Sequence, residues 1–235
     1  MSATVAERPR IVLIHGAATT AEVWRPLAEL LRPFGEVSTP QRGYSGDLET
    51  ELADLAPVCE GNFVVGVSGG ATLGLALALG DLPLTGAILH EPAAGSLAPH
   101  LLDHVIHAMG GGGPVAFGRA LYGESWTEDM LPEDRDAVRR DLGMFRGFEP
   151  TAPPEPLDNV FVSVGEYSPI ARRESVLALS GLTGAHLLVI PQASHDVHLR
   201  NVSAFAKVIE ERLAITTSRP RSVGSWQAEK IRKGN

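Results

Sequence analysis

The chain has 235 residues, 44% of them hydrophobic, a net charge of −8 and a single cysteine, Cys59. No basic stripe is present to neutralise phosphates, which excludes a nucleic-acid binder, and one cysteine excludes a disulfide framework. Met1 to Arg10 lacks an apolar signal core and no run reaches transmembrane length, so the expectation is a soluble, cytoplasmic protein without a membrane partner.

The elements are read in chain order. Ile11 to Ile14 is a short β-branched run that predicts a buried strand, ending in His15-Gly16-Ala17-Ala18. A helix follows from Ala21 to Leu31, a strand near Val37 to Pro40, and a helix from Leu48 to Val58, which carries Cys59 at its end as buried filler. Asn62 to Val65 is the next strand. It leads into Gly66-Val67-Ser68-Gly69-Gly70, which fits G-x-S-x-G, and then into the small, Leu-rich helix Ala71 to Leu79. A strand, a tight turn centred on serine and a helix form a nucleophile elbow. The glycines let backbone segments pass closely, and the free N–H groups of the helix N-terminus favour negative charge at Ser68. Gly86 to His90 is a further strand, ending at Glu91-Pro92.

Residues 93 to 156 break this alternation. Helical stretches appear at Leu101–Met109, Val115–Leu121 and Pro132–Phe145, without a strand run, and the segment closes on the stiff Pro150-Thr151-Ala152-Pro153-Pro154-Glu155-Pro156. Gly110 to Gly113 reads as a hinge or a plain loop. His100, His104 and His107 share one helical face, which an exposed polar face explains, so no metal site is expected. The alternation then resumes with the strand Val160 to Val164, followed by Gly165-Glu166-Tyr167-Ser168, and with the strand His186 to Ile190. That last strand leads into Gln192-Ala193-Ser194-His195 and the amphipathic helix from Val202. Residues 216 to 235 are rich in Ser, Gly, Arg and Lys and read as a disordered basic tail.

Strand His15-Gly16, the serine elbow and the loop histidine, in that order, resemble the α/β-hydrolase superfamily over about residues 10 to 213. The resemblance implies an α/β fold: a mostly parallel sheet of about six strands flanked by helices, with residues 1–92 and 157–215 as the core and 93–156 as a small helical cap. It implies Ser68 as nucleophile, His195 as general base, and the N–H groups of Ala17 and Gly69 as the oxyanion hole. His15 takes a structural role. Most members carry an aspartate where this chain has Ser168. Two carboxylates can replace it: Glu91, at the strand end where haloalkane dehalogenases place their acid, or Glu166, two residues before the usual site. The acid is recognised by geometry rather than by position. In the cap, Phe117 and Trp126 are the expected substrate-binding residues, with the rest largely packing.

The function expected on this footing is a serine hydrolase of a small, largely apolar carboxylic ester, thioester or lactone, acting on a small-molecule substrate without a cofactor. The same triad also suits perhydrolysis or C–C bond hydrolysis. A hydrolase fold kept only for ligand binding is the third reading, supported by the missing aspartate. Oligomeric state is left open.

Overall fold

A computed structural model describes residues 8–218. Six strands, β1 (Arg10–Ile14), β2 (Glu36–Ser38), β3 (Phe63–Val67), β4 (Gly86–His90), β5 (Val160–Gly165) and β6 (His186–Ile190), form one sheet in the order β2-β1-β3-β4-β5-β6. Every pairing is parallel. β3 and β4 are buried along their whole length, as continuous apolar runs in a sheet covered on both faces must be. Alternation still sorts the side chains. Ile11 and Leu13 pack on one face with Trp24, Leu27 and Phe205. Val12 and Ile14 pack on the other with Leu73 and Leu89.

Helices α1 (Arg25–Leu31) and α8 (Val202–Ser218) cover the first face, and α2 (Leu48–Cys59), α3 (Gly69–Leu79) and α6 (Ile170–Thr183) lie on the second. Local chemistry marks their ends. The Asp47 carboxylate accepts from Thr50 N at the start of α2, and Gly184, at φ 71°, closes α6 in the left-handed region. The expected helix from Ala21 to Leu31 divides into a 3₁₀ turn, Ala21–Trp24, and α1, with Pro26 in the first turn of α1. Cys59 is buried, and burial pushes its thiol up to about 12.

Between β4 and β5 lie α4 (Asp103–Tyr122) and α5 (Arg135–Gly147). The two expected helices at 101–109 and 115–121 run on as α4, broken by a kink at Gly113 (φ 65°, ψ −156°) just before Pro114. α5 has its Asp134 cap bonded to Asp136 N and turns Val138, Leu142 and Phe145 inward. After β6 a short helix, α7 (Val197–Arg200), precedes α8. α8 continues through Ser218, past residue 216 where the tail was expected to begin. The remainder of that tail lies outside the described residues. No helix among the described residues is long and apolar enough to cross a membrane.

Strand order reverses between β1 and β3, because β2 lies outside β1. In parallel α/β sheets ligands bind beyond the carboxyl ends of the strands at such a point. His15 leaves β1 there, Ser68 leaves β3, Glu91 leaves β4 and the His195 loop leaves β6.

Candidate active site

Ser68 caps α3 with φ 57° and ψ −122°, a sparsely populated conformation for a residue with a side chain. The sharp turn is possible because its neighbours lack a Cβ. One on Gly66 would run into the backbone of Gly70 and Ala71, and one on Gly70 into the Ile14 carbonyl. Ser68 N donates to the His90 carbonyl at 2.9 Å, and Thr72 N to the Ser68 carbonyl at 3.0 Å, which pins the elbow to β4 and to its own helix. Ala17 N and Gly69 N have no acceptor among the described residues. They converge beside Ser68: a Cβ on Gly69 would lie 3.3 Å from Ala17 N.

Glu91 is 2% exposed and has φ 52°. That left-handed turn directs its carboxylate across the end of β5, while Glu91 N stays bonded to the Ser163 carbonyl at 2.9 Å. His195 Nδ1 donates to Glu91 Oε2 at 2.8 Å. Arg172 Nε lies 3.2 Å from the same oxygen. Oε1 accepts from Gly165 N at 3.0 Å and from the Ser168 hydroxyl. Ser168 therefore occupies the usual acid position as a donor to the carboxylate that comes from β4. Glu166 points elsewhere: it is exposed and accepts from Gln192 N at 2.8 Å, bracing the His195 loop from outside.

Burial works against the Glu91 charge. His90, His195 and Arg172 outweigh it and hold the carboxyl well below the ordinary range. The His90 ring is itself pushed down by burial, so near neutral pH it is uncharged and the lasting support comes from Arg172 and the hydrogen bonds. His195 is lowered to about 4, by burial first and Arg172 second, against the opposing pull of Glu91. With the proton on Nδ1, Nε2 is left as a basic lone pair. It is buried and has no hydrogen-bond partner in the protein.

The face of the His195 ring is covered from the segment between β4 and β5. Tyr122, the last residue of α4, stacks on the His195 ring at 5.4 Å between centroids and 9° between planes. Its hydroxyl donates to the Ala17 carbonyl at 3.1 Å and lies beside the Ser68 side chain. Burial pushes that phenol up to about 12. Ser68 and His195 are not hydrogen-bonded to each other here. A cavity of about 30 Å³ remains in front of Ser68, room for one or two water molecules. Ala17, Gly69, Phe117, Leu121, Phe145 and Arg172 are among its lining.

Of the two expected cap residues, Phe117 lines this cavity and Trp126 does not. The Trp126 indole packs against Gly118 and its N–H donates to the Ala18 carbonyl at 2.8 Å, so it supports the loop after β1. His15 serves the same loop: its Nε2 accepts from Arg42 N at 3.3 Å. Arg42 is sealed between Glu51 (3.1 Å) and Asp141 of α5 (2.6 Å), and also reaches the His15 and Gly16 carbonyls. Burial opposes the Arg42 charge, but the two carboxylates outweigh it and raise its pKa. His100 pairs with Asp103 at 2.9 Å on an exposed face, and no group of three His, Cys, Asp or Glu side chains among the described residues gathers as a metal site.

Sequence reasoning passed over Arg172, Tyr122, Arg42 and Asp141 as site residues. Arg172 stands in an Arg-Arg pair at a helix start, which reads as solvated surface, and Tyr122 reads as one cap apolar residue among several. Buried Arg42 and Asp141 carry no local signal at all.

Solved structures with the same fold include an esterase from Thermogutta terrifontis, at 20% identity over 89% of this chain and 91% of that one, with a TM-score of 0.70. A thioesterase of the prodiginine biosynthetic pathway in Streptomyces coelicolor is 20% identical over 91% of each chain, with a TM-score of 0.66. An alpha/beta hydrolase from Sphaerobacter thermophilus is 24% identical over 88% of this chain and 93% of that one, with a TM-score of 0.64. Among curated protein sequences none matches the chain. The model of the alpha/beta hydrolase family matches residues 11–208; with the parallel sheet, the serine elbow and the helices between β4 and β5, the chain belongs to that family.

Proposed function

We propose that the protein is a serine hydrolase that cleaves a small carboxylic ester, thioester or lactone through an acyl-enzyme. The observation that carries this reading is the His195 Nδ1–Glu91 Oε2 contact of 2.8 Å, made behind a strained serine turn that faces two unpaired N–H groups. In this reading Ser68 is the nucleophile, His195 the base, Glu91 the acid, and Ala17 and Gly69 supply the oxyanion hole.

His195 Nε2 takes the Ser68 proton as Oγ attacks the carbonyl carbon. The C=O electron pair moves to oxygen, where the Ala17 and Gly69 N–H groups hold the developing charge. Collapse expels the alcohol or thiol, which takes its proton from His195. Water, deprotonated by His195, then attacks the acyl carbon, and His195 passes that proton to Ser68 Oγ as the acid leaves. Glu91 keeps the Nδ1 proton in place and stabilises the imidazolium. Catalytic hydrogen bonds are often long or unformed before substrate binds, which accounts for the separated Ser68 and His195.

A fluorophosphonate probe tests the reading. It should label the wild type and not Ser68→Ala, and turnover of a short nitrophenyl ester should fall by several orders of magnitude in that variant with its thermal melt nearly unchanged. Equal turnover in the variant would reject the serine mechanism.

A further inference from the structure

Arg172 is 6% exposed, yet its guanidinium uses only Nε on the protein, in the ion pair with Glu91. No acceptor among the described residues meets either Nη group. Nor are they sealed away, because they are absent from the buried unpartnered atoms and Arg172 lines the cavity in front of Ser68. A guanidinium has five N–H donors, and keeping a cation out of water is costly unless those donors are met. Glu91 engages Arg172 through Nε alone and also accepts from Gly165 N, Ser168 and His195, so its charge makes no use of the Nη groups.

The other charged group lining the cavity is Glu91, which faces His195, while Val105, Phe117, Leu121, Leu142 and Phe145 make the rest largely apolar. In chemistry, a cationic fork with unpaired Nη groups among apolar lining residues matches a carboxylate carried on a short hydrocarbon chain. Arginine accepts that group through two parallel N–H bonds.

We propose that the Nη groups of Arg172 bind a carboxylate at the far end of the substrate, so that the preferred substrates are half-esters or half-thioesters of short dicarboxylic acids. The assignment rests on the serine-hydrolase reading and adds the anionic end of the substrate to it. The rear of the same guanidinium stays on Glu91, so Arg172 joins the acid of the site to the recognition of the acyl group.

The test compares N-acetylcysteamine thioesters of glutarate and valerate, equal in chain length and different in charge, with release of thiol as the readout. The wild type should prefer the glutaryl thioester by at least about tenfold in kcat/KM, mainly through a lower KM, since a hydrogen bond to a charged group is worth a factor of about ten or more. In Arg172→Gln that ratio should collapse toward one, whatever happens to the absolute rates. No preference in the wild type, or an equal fall for both thioesters with the ratio kept, would overturn the carboxylate site and leave Arg172 as a positioning residue for Glu91 and His195. If the variant does not fold, glutarate should still slow fluorophosphonate labelling of wild-type Ser68 more than valeramide does. Equal protection would again overturn the proposal. Failure of the probe to label Ser68, with neither thioester cleaved, would instead overturn the hydrolase reading beneath it.

Discussion

At the scale of single residues, the carboxylate of Glu91 collects donors from four directions: His195, Arg172, Ser168 and the backbone of Gly165. Glu91→Gln keeps the volume but cannot hold the Nδ1 proton against an amide that offers a donor of its own. The analogous change in a serine protease lowers turnover about 10⁴-fold. A loss of several orders of magnitude is expected in ester turnover for Glu91→Gln, and a mild one for Glu166→Gln, whose carboxylate only braces Gln192. The reverse ranking would move the acid to Glu166. The pH profile gives a second reading. In the proposed mechanism His195 acts as the neutral imidazole, and burial and Arg172 hold it at about 4. The groups around it are Glu91, Arg172, His90, Tyr122 and, across the Tyr122 ring, His198. kcat/KM should rise with pH through about 4 and stay level to neutrality. An acid limb at or above the ordinary histidine value, with the protein shown folded at each pH, would contradict this environment.

At the scale of elements, the segment between β4 and β5 is tied to the loop after β1 by polar contacts and not by apolar packing alone. Trp126 bonds to Ala18, Tyr122 to Ala17, and Asp141 to Arg42, which in turn holds His15 and Gly16. A shift of α4 or α5 is therefore felt at the Ala17 N–H. The kink at Gly113 divides α4 into two stretches, the second of which ends at Tyr122. Its φ 65°, ψ −156° belongs to glycine. Gly113→Ala should cost about 1–3 kcal/mol in backbone strain. At roughly 2–4 °C per kcal/mol, that lowers the thermal melt by several degrees. Gly111→Ala, in open space on the same helix, should raise the melt slightly, since alanine is the better helix former. Equal shifts in the two variants would show that the kink stores no strain.

Across the whole molecule, four buried histidines surround the site. His15 is lowered to about 3 and His195 to about 4, and His90 and His198 are lowered as well, burial being the main cause each time. The folded state keeps them neutral, while the unfolded chain protonates them below their ordinary value of 6.5. Stability from these groups is thus fully present above that pH. It is lost as the pH falls, at about 1.4 kcal/mol per pH unit for each histidine. Set against a typical total of about 5–15 kcal/mol, this predicts a steep fall in the urea midpoint between pH 7 and pH 5. A flat midpoint over that interval would mean the histidines are already charged in the folded protein.

The six strands and their parallel pairing were legible in the sequence because they rest on local information. Short apolar runs alternating with helical stretches imply a parallel sheet, and the spacing of glycines around Ser68 implies the elbow from five consecutive residues. Those signals also place Ser68, Glu91 and His195 at strand ends. They do not say which side chains meet. Glu91 and His195 are 104 positions apart. Their contact depends on the register of β4 against β5 and β6, and on a left-handed turn at Glu91 that no neighbouring glycine announces. Arg172 and Tyr122 reach the same few ångströms from α6 and from α4, and in the sequence one reads as surface charge and the other as packing. A periodic pattern reports which face of an element is buried. Which groups share a buried space is set by how separate elements pack, and that was decided only in the tertiary structure.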